Sequence, residues 1–164
     1  MTDIKQFLLE SLDTDREHVL STVEGLSDEQ MREAKLPSGW SCMTMLKHLA
    51  LGVEHYWFSC IYGGESLDFF DSDELRDNGE WRADPGDTGD ALRALYRAEW
   101  ARSNEVIARL DLDATPVFRD PMWGEWEVGD LLFILMHVVE ETATHAGHLD
   151  AVRELIDGHQ HIVL

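Results

Sequence analysis

The most constraining stretch is residues 131–150, LLFILMHVVEETATHAGHLD, an apolar run that goes on to set His137, Glu141, His145 and His148 on one stripe. At roughly 100° per residue, positions four and seven apart on an α-helix differ in direction by only about 40° and 20°. A carboxylate and three imidazoles therefore project from one side of a helix whose other positions are mostly Leu, Ile, Met and Val. A helix that is apolar nearly all round is expected to be buried, and buried polar groups need partners. A metal ion is the partner that suits a Glu and a His one turn apart. The stripe predicts a packed helical core in which another helix brings one more ligand.

The remaining chain supplies the helices. Residues 3–24 carry Ile4, Phe7, Leu8, Leu12, Val19 and Val23 at helical spacing, with Asp3 as cap and Gly25 as stop. His18, set among charges, is expected to face solvent, and Ser27 opens a short helical turn. After the loop LPSGW at 36–40, Ser41 or Thr44 caps a second helix that runs to about Tyr62, where Gly63 and Gly64 stop it. That helix places His48 and, seven residues on, His55 on one apolar face. A third helix spans about 88–110, with Leu92, Leu95, Tyr96, Val106 and Ile107 on its buried side. A fourth spans about 128–156 and ends at Gly158, leaving HQHIVL as a tail with incidental histidines.

Two long connections remain. Residues 63–87 are acidic, with Phe69, Phe70 and Trp81 as aromatic anchors; a packed surface loop is the expectation and a lid the alternative. Residues 111–127 hold Trp123 and Trp126, and alternation around Trp126 would allow a short extended piece. No other strand pattern, repeat or low-complexity tract is present. The prediction is an all-α four-helix bundle with two long connecting loops, one domain over 1–164.

Composition bounds the partners. At 164 residues the chain suffices for one well-buried core and is short for two ordinary domains. Thirteen basic residues stand against thirty-three acidic ones, a formal charge of -20. Such a surface repels phosphate backbones and anionic lipid, which argues against nucleic acid and membranes as partners. No apolar run approaches the roughly 18 residues of a membrane span, and the opening residues read as helix rather than leader. Cys42 and Cys60, if on one helix, would stand roughly 27 Å apart, beyond disulfide reach, and are read as reduced and structural. A soluble, cytoplasmic protein is expected.

His48, Glu141 and His145 make a candidate ligand set. Two imidazoles and one carboxylate suit Zn²⁺ and leave a position for water or substrate, which leans towards catalysis. The same set fits Fe(II) or nickel. His148 is a fourth ligand or an orienting group, and His137 is assigned to the core. The plainer alternatives stay open: a lone His on an apolar helix face is more often a hydrogen-bonded core residue, and the stretch around Glu140 and Thr144 could form a solvated face. His55 is read as core or pocket lining, the aromatic residues at 56, 57, 96 and 100 as core, and Cys42 as an inert thiol with no paired base.

Two blocks carry a resemblance: PSGWSCMTMLKHLALGVEHYWF at 37–58 and WGEWEVGDLLFILMHVVEETATHAGHLDAVRELIDG at 123–158. Together with their spacing, they resemble the DinB-like superfamily of metal-binding four-helix bundles. The branch is the one related to the N-terminal domain of mycothiol-dependent maleylpyruvate isomerase and to mycothiol and bacillithiol S-transferases. EETATHAGH is the most specific part. The resemblance implies His48, Glu141 and His145 as metal ligands, with His148 where relatives commonly carry Gln. It also implies a divalent metal and a low-molecular-weight thiol co-substrate of the mycothiol type, attacking an electrophilic small molecule in detoxification or stress response. The isomerase's additional C-terminal domain has no counterpart after 158, so isomerisation is not part of the expectation. Competing readings are a non-catalytic metal- or small-molecule-binding bundle, and a metal-assisted hydrolase with Glu54 or His55 as base. A homodimer is compatible with a bundle of this type.

Overall fold

Side-chain caps decide where the helices begin. In the computed structural model, which describes residues 3–71, 79–125 and 127–161, the α-helices are α1 (Ile4–Thr22), α2 (Asp28–Arg32), α3 (Cys42–His48), α4 (Gly89–Ala108) and α5 (Leu131–Asp157). Asp3 accepts from the Lys5 and Gln6 amides, Thr88 from Ala91 and Asp130 from Phe133. Ser27 with Gln30, and Ser41 with Thr44, form reciprocal capping boxes. Gly158, at φ 79°, ends α5 in the left-handed conformation that a residue with a Cβ adopts at a cost. The five helices contain the predicted four and the predicted short turn, and no strand occurs among the described residues.

One element differs in kind. α3 passes without a break into fourteen residues of π-helix, Leu49–Tyr62, which stop at Gly63 where the second predicted helix was expected to stop. Bonding from i to i+5 gives more than about four residues per turn, so seven residues make only roughly one and a half turns. His48 and His55 therefore do not share a face, contrary to the α-helical expectation. His48 reaches Glu141 of α5, whereas His55 reaches Glu99 of α4.

Cross-helix bonds give the directions. α1 runs parallel to α5, as His18 and Thr22 meet Asp150 and Arg153 binds the Thr22 carbonyl. It runs antiparallel to α4, with Lys5 on the Leu110 carbonyl and Arg93 on that of Val23. The α3–π helix is antiparallel to α5, from His48 on Glu141 to Tyr62 on the Gly129 carbonyl. The result is an up-down-down-up bundle, whose parallel middle helices require the long 63–87 crossover.

The core is continuous from Leu12, Val19 and Val23 through Met43, Leu46, Phe58 and Ile61 to Leu135, Val138 and Leu149. A buried ion pair crosses it: Arg16 Nε and Nη2 donate to the two Glu54 oxygens at 2.7 and 2.5 Å, and Asn104 and Asp13 accept from Nη1. Two expectations of burial fail at one end of the bundle. Ile4 and Phe7 are 59% and 57% exposed, and Phe133 and Met136 of α5 are also exposed, so α5 is not buried all round. Cys42 and Cys60 are free and buried, as expected. No helix among the described residues is long and apolar enough to cross a membrane.

Candidate metal centre

Glu141 lies where α5 faces the junction of α3 and the π segment, so its carboxylate meets side chains from both helices. Its Oε1 is 3.3 Å from His48 Nε2 and 3.8 Å from His145 Nε2, and one ligand atom from each residue falls within 4.8 Å of the others. Atoms bound at about 2.1 Å in a tetrahedral shell stand about 3.4 Å apart. The spacing therefore suits a shared ion better than direct hydrogen bonds, which want about 2.9 Å. The donor set, two imidazoles and a carboxylate, fits a divalent transition metal.

His137 departs from its expected place. It is not in the core: one turn before Glu141, it sits on the flank of α5, partly exposed, with Nε2 3.3 Å from Glu141 Oε2. Its ring meets the edge of Trp57 at a centroid distance of 5.6 Å. The apolar positions Ile134, Leu135 and Val138 take the buried side of α5 and leave His137 beside the opening. Burial works to raise the Glu141 pKa, but the polar contacts of the facing His137, His145 and His48 rings outweigh it and hold the carboxyl well below the usual range. The same contact, with burial opposing, raises the pKa of His137. Glu141 is thus an anion with one oxygen held by His137 and the other turned to His48 and His145.

Aromatic rings orient what hydrogen bonds do not. Among the described residues, Nδ1 of both His48 and His145 is buried without a hydrogen-bond partner, whereas a ligating imidazole usually donates that proton to an acceptor. Trp81 lies flat on His48, centroids 3.9 Å apart at 19°, and stands 6.0 Å from the His145 ring. A Cβ on Gly52 would come within 2.8 Å of His48 Nδ1, so this glycine makes room for the ring. Trp81 ends the turn Gly79–Trp81, and just beyond it Lys47 donates to Asp84 at 2.7 Å and to the Arg82 carbonyl. This half of the first loop packs on α3 and covers His48; residues 72–78 lie outside the described part. Phe70 approaches His55 and Tyr56, and of Phe69 only the backbone is described.

The second loop packs on the π-helix. Val117 and Phe118 donate their amides to the Ile61 carbonyl, Tyr56 donates to Asp120, and Trp123 Nε1 donates to the Tyr56 hydroxyl. Trp123 then stacks on Trp57 at 5.7 Å. The extended piece foreseen around Trp126 centres on a residue outside the described part. On the face of α5 itself, a shallow open cleft of about 240 Å³ is lined by His137, Glu140, Glu141, Thr144 and His145. A cavity of about 310 Å³ between α1 and α4 shares none of these residues.

The other nominated residues fall elsewhere. His148 is exposed and stands apart from the three-residue group, its ring 5.7 Å from that of His145 and 6.2 Å from that of Trp40. Glu54 is engaged by Arg16 and His55 by Glu99, and neither lines the cleft beside Glu141. Burial, against the opposing field of Arg153, pushes the Cys42 thiol up to about 11, which keeps it protonated and inert. Gly52, Trp81 and Trp123 were not tied to the site from sequence, and Trp57 was read as core. Trp81 and Trp123 carried a signal only as aromatic residues in long loops.

Comparison with known proteins agrees with this architecture. The solved structure of a conserved protein from Enterococcus faecalis superposes with a TM-score of 0.73 at 15% identity, covering 97% of this chain and 100% of that one. That likeness speaks for the fold alone. No curated protein matches the chain. A sequence model described as mycothiol-S-transferase matches residues 7–158, a span that takes in both helices of the cluster and nearly the whole chain. The chain belongs to the mycothiol S-transferase family of DinB-like proteins.

Proposed function

We propose that the protein is a metal-dependent S-transferase that joins a mycothiol-type thiol to an electrophilic small molecule. The observation that carries this reading is the convergence of His48, Glu141 and His145 beside an open cleft, in a chain of this family. His48 from one helix, with Glu141 and His145 from another, are the ligands. Zn²⁺ suits them best, and nickel or Fe(II) would bind the same set. When bound, the cation lowers the pKa of a coordinated thiol and keeps its thiolate available at neutral pH.

The chain's own residues do the rest. His137 fixes one Glu141 oxygen and thereby aims the other at the two imidazoles. Trp81 and Gly52 set the plane of the His48 ring. Trp57, Trp81 and Trp123 give the site apolar flanks, while the side of α5 bearing Glu140 and Thr144 stays open for thiol and electrophile. In the reaction, the thiol sulfur forms a carbon–sulfur bond, the electrophile's leaving group departs with the bonding electrons, and the thiol proton goes to solvent. The setting inferred is cytoplasmic detoxification or stress response.

The direct test incubates Zn²⁺-loaded protein with mycothiol and monobromobimane and follows the bimane conjugate. Conjugation well above the uncatalysed rate, abolished in Glu141→Ala, is expected. Wild-type protein no faster than buffer, with either mycothiol or bacillithiol, would remove the transferase reading.

A further inference from the structure

A second cluster of metal-ligating side chains lies away from the cleft. His18 of α1, Asp150 of α5 and His161 beyond the end of α5 bring one ligand atom each within 4.8 Å of one another. His18 Nε2 is 2.9 Å from both Asp150 oxygens, and Thr22 donates to Oδ1 of the same carboxylate at 3.0 Å. Residues 158–161 after α5 turn back over the end of the helix. Gly158 turns the chain, Asp157 accepts from the His159 amide, and Gln160 donates to Glu154. These bonds lay the His161 ring on that of His18, centroids 4.0 Å apart at 17°. Neither histidine behaves as the sequence suggested, His18 as a solvent-facing residue and His161 as incidental.

We infer that His18, Asp150 and His161 form a second site for a divalent transition-metal cation, one that fastens the C-terminal tail to α1 and α5. Two imidazoles and a carboxylate are again the donor set that Zn²⁺ or Ni²⁺ prefers. The three ligands come from three separate segments, so the ion crosslinks them. Asp150 is positioned beforehand by Thr22, and His18 already points its Nε2 at it. The ion takes the place of the Nε2 proton between them, and that proton leaves to Nδ1 or to solvent. The stacked His161 ring must tilt to aim a nitrogen at the same point; it is exposed and lies past the helix cap, which leaves it room to do so. An overall charge of -20 raises the local concentration of cations. The site leaves an open coordination position but lines no described cavity, which gives it a structural role.

The test titrates untagged full-length protein with Zn²⁺ by calorimetry. Wild type is expected to bind two equivalents, and His161→Ala and His145→Ala one each. His161 is exposed, so its removal leaves the fold intact, and Asp150→Asn checks the same site from a second side. Melting curves add an independent reading: Zn²⁺ raises the melting temperature of His145→Ala, and the rise disappears in the His145→Ala/His161→Ala double variant. One equivalent that survives in His145→Ala and is lost in His161→Ala would support this site while removing the cleft site. Unchanged stoichiometry in His161→Ala, or no tail-dependent thermal effect, would overturn the inference.

Discussion

Single residues settle most of what this site is. Gly52 has no side chain to collide with His48, and its replacement by Ala would force that ring to turn, because a Cβ would lie 2.8 Å from Nδ1. Gly52→Ala is therefore expected to weaken Zn²⁺ binding at the cleft by roughly 10–100-fold, the range seen when a ligand's supporting contacts are lost. Competition titration with a chromophoric chelator measures this, and circular dichroism should show an unaltered fold. Undiminished affinity would mean that His48 is not held by this packing. Glu54 illustrates the opposite case, a polar residue with no part in the cleft. It is fully buried against Arg16, and Glu54→Ala strands that guanidinium in the core. A loss of about 3–5 kcal/mol is expected, read from urea unfolding, with zinc affinity of the residual folded protein unchanged.

At the scale of elements, the π-helix explains what sequence could show and what it could not. Its limits were legible, because Ser41, Thr44, Gly63 and Gly64 are caps and stops in any helical winding. The winding itself was not, since apolar residues on every side of 49–62 carry no period from which to choose between α and π. His55 was consequently assigned to the face of His48, although it pairs with Glu99 at 3.0 Å. That pairing has a pH signature. Burial acts to lower the His55 pKa, but the Cys60 thiol and the Glu99 carboxylate outweigh it and raise the value from 6.5 to about 9. A group whose folded pKa is raised adds stability that is complete below its unfolded pKa and is lost as pH rises through the folded one. The melting temperature should fall as pH climbs past about 7 and through about 9, and Glu99→Gln should flatten that decline. A wild-type profile as flat as the variant's would contradict the pairing. The connection 63–87 has a comparable lesson: its aromatic content marked it as anchored, but only the fold shows Trp81 seated on His48. Trp81→Ala is expected to raise the KM for the thiol several-fold through a looser His48, and steady-state kinetics would detect it.

For the whole molecule, the up-down-down-up order is what makes the centre. Parallel α1 and α5 flank one side, and the α3–π helix runs against α5 so that His48, at the end of α3, meets Glu141. The four helices, their order and the pair of long loops were readable from spacing and caps. The proposed trio, whose three side chains the structure brings together, was singled out by one helical stripe and a family-like pattern. The surroundings of the trio were not, because Trp81 and Trp123 come in on loop paths that have no period, and Trp57 on a helix whose winding the sequence leaves open. The tail was misjudged for a related reason: three residues past a helix stop carry no pattern, so nothing in HQHIVL pointed to His18. The central claim is that His48, Glu141 and His145 bind one metal ion together. Elemental analysis of protein purified in the His161→Ala background, where only this centre is counted, tests it most directly. One equivalent of metal, falling to near zero when His145→Ala is added, is the predicted result; an unchanged metal content in that double variant would contradict it.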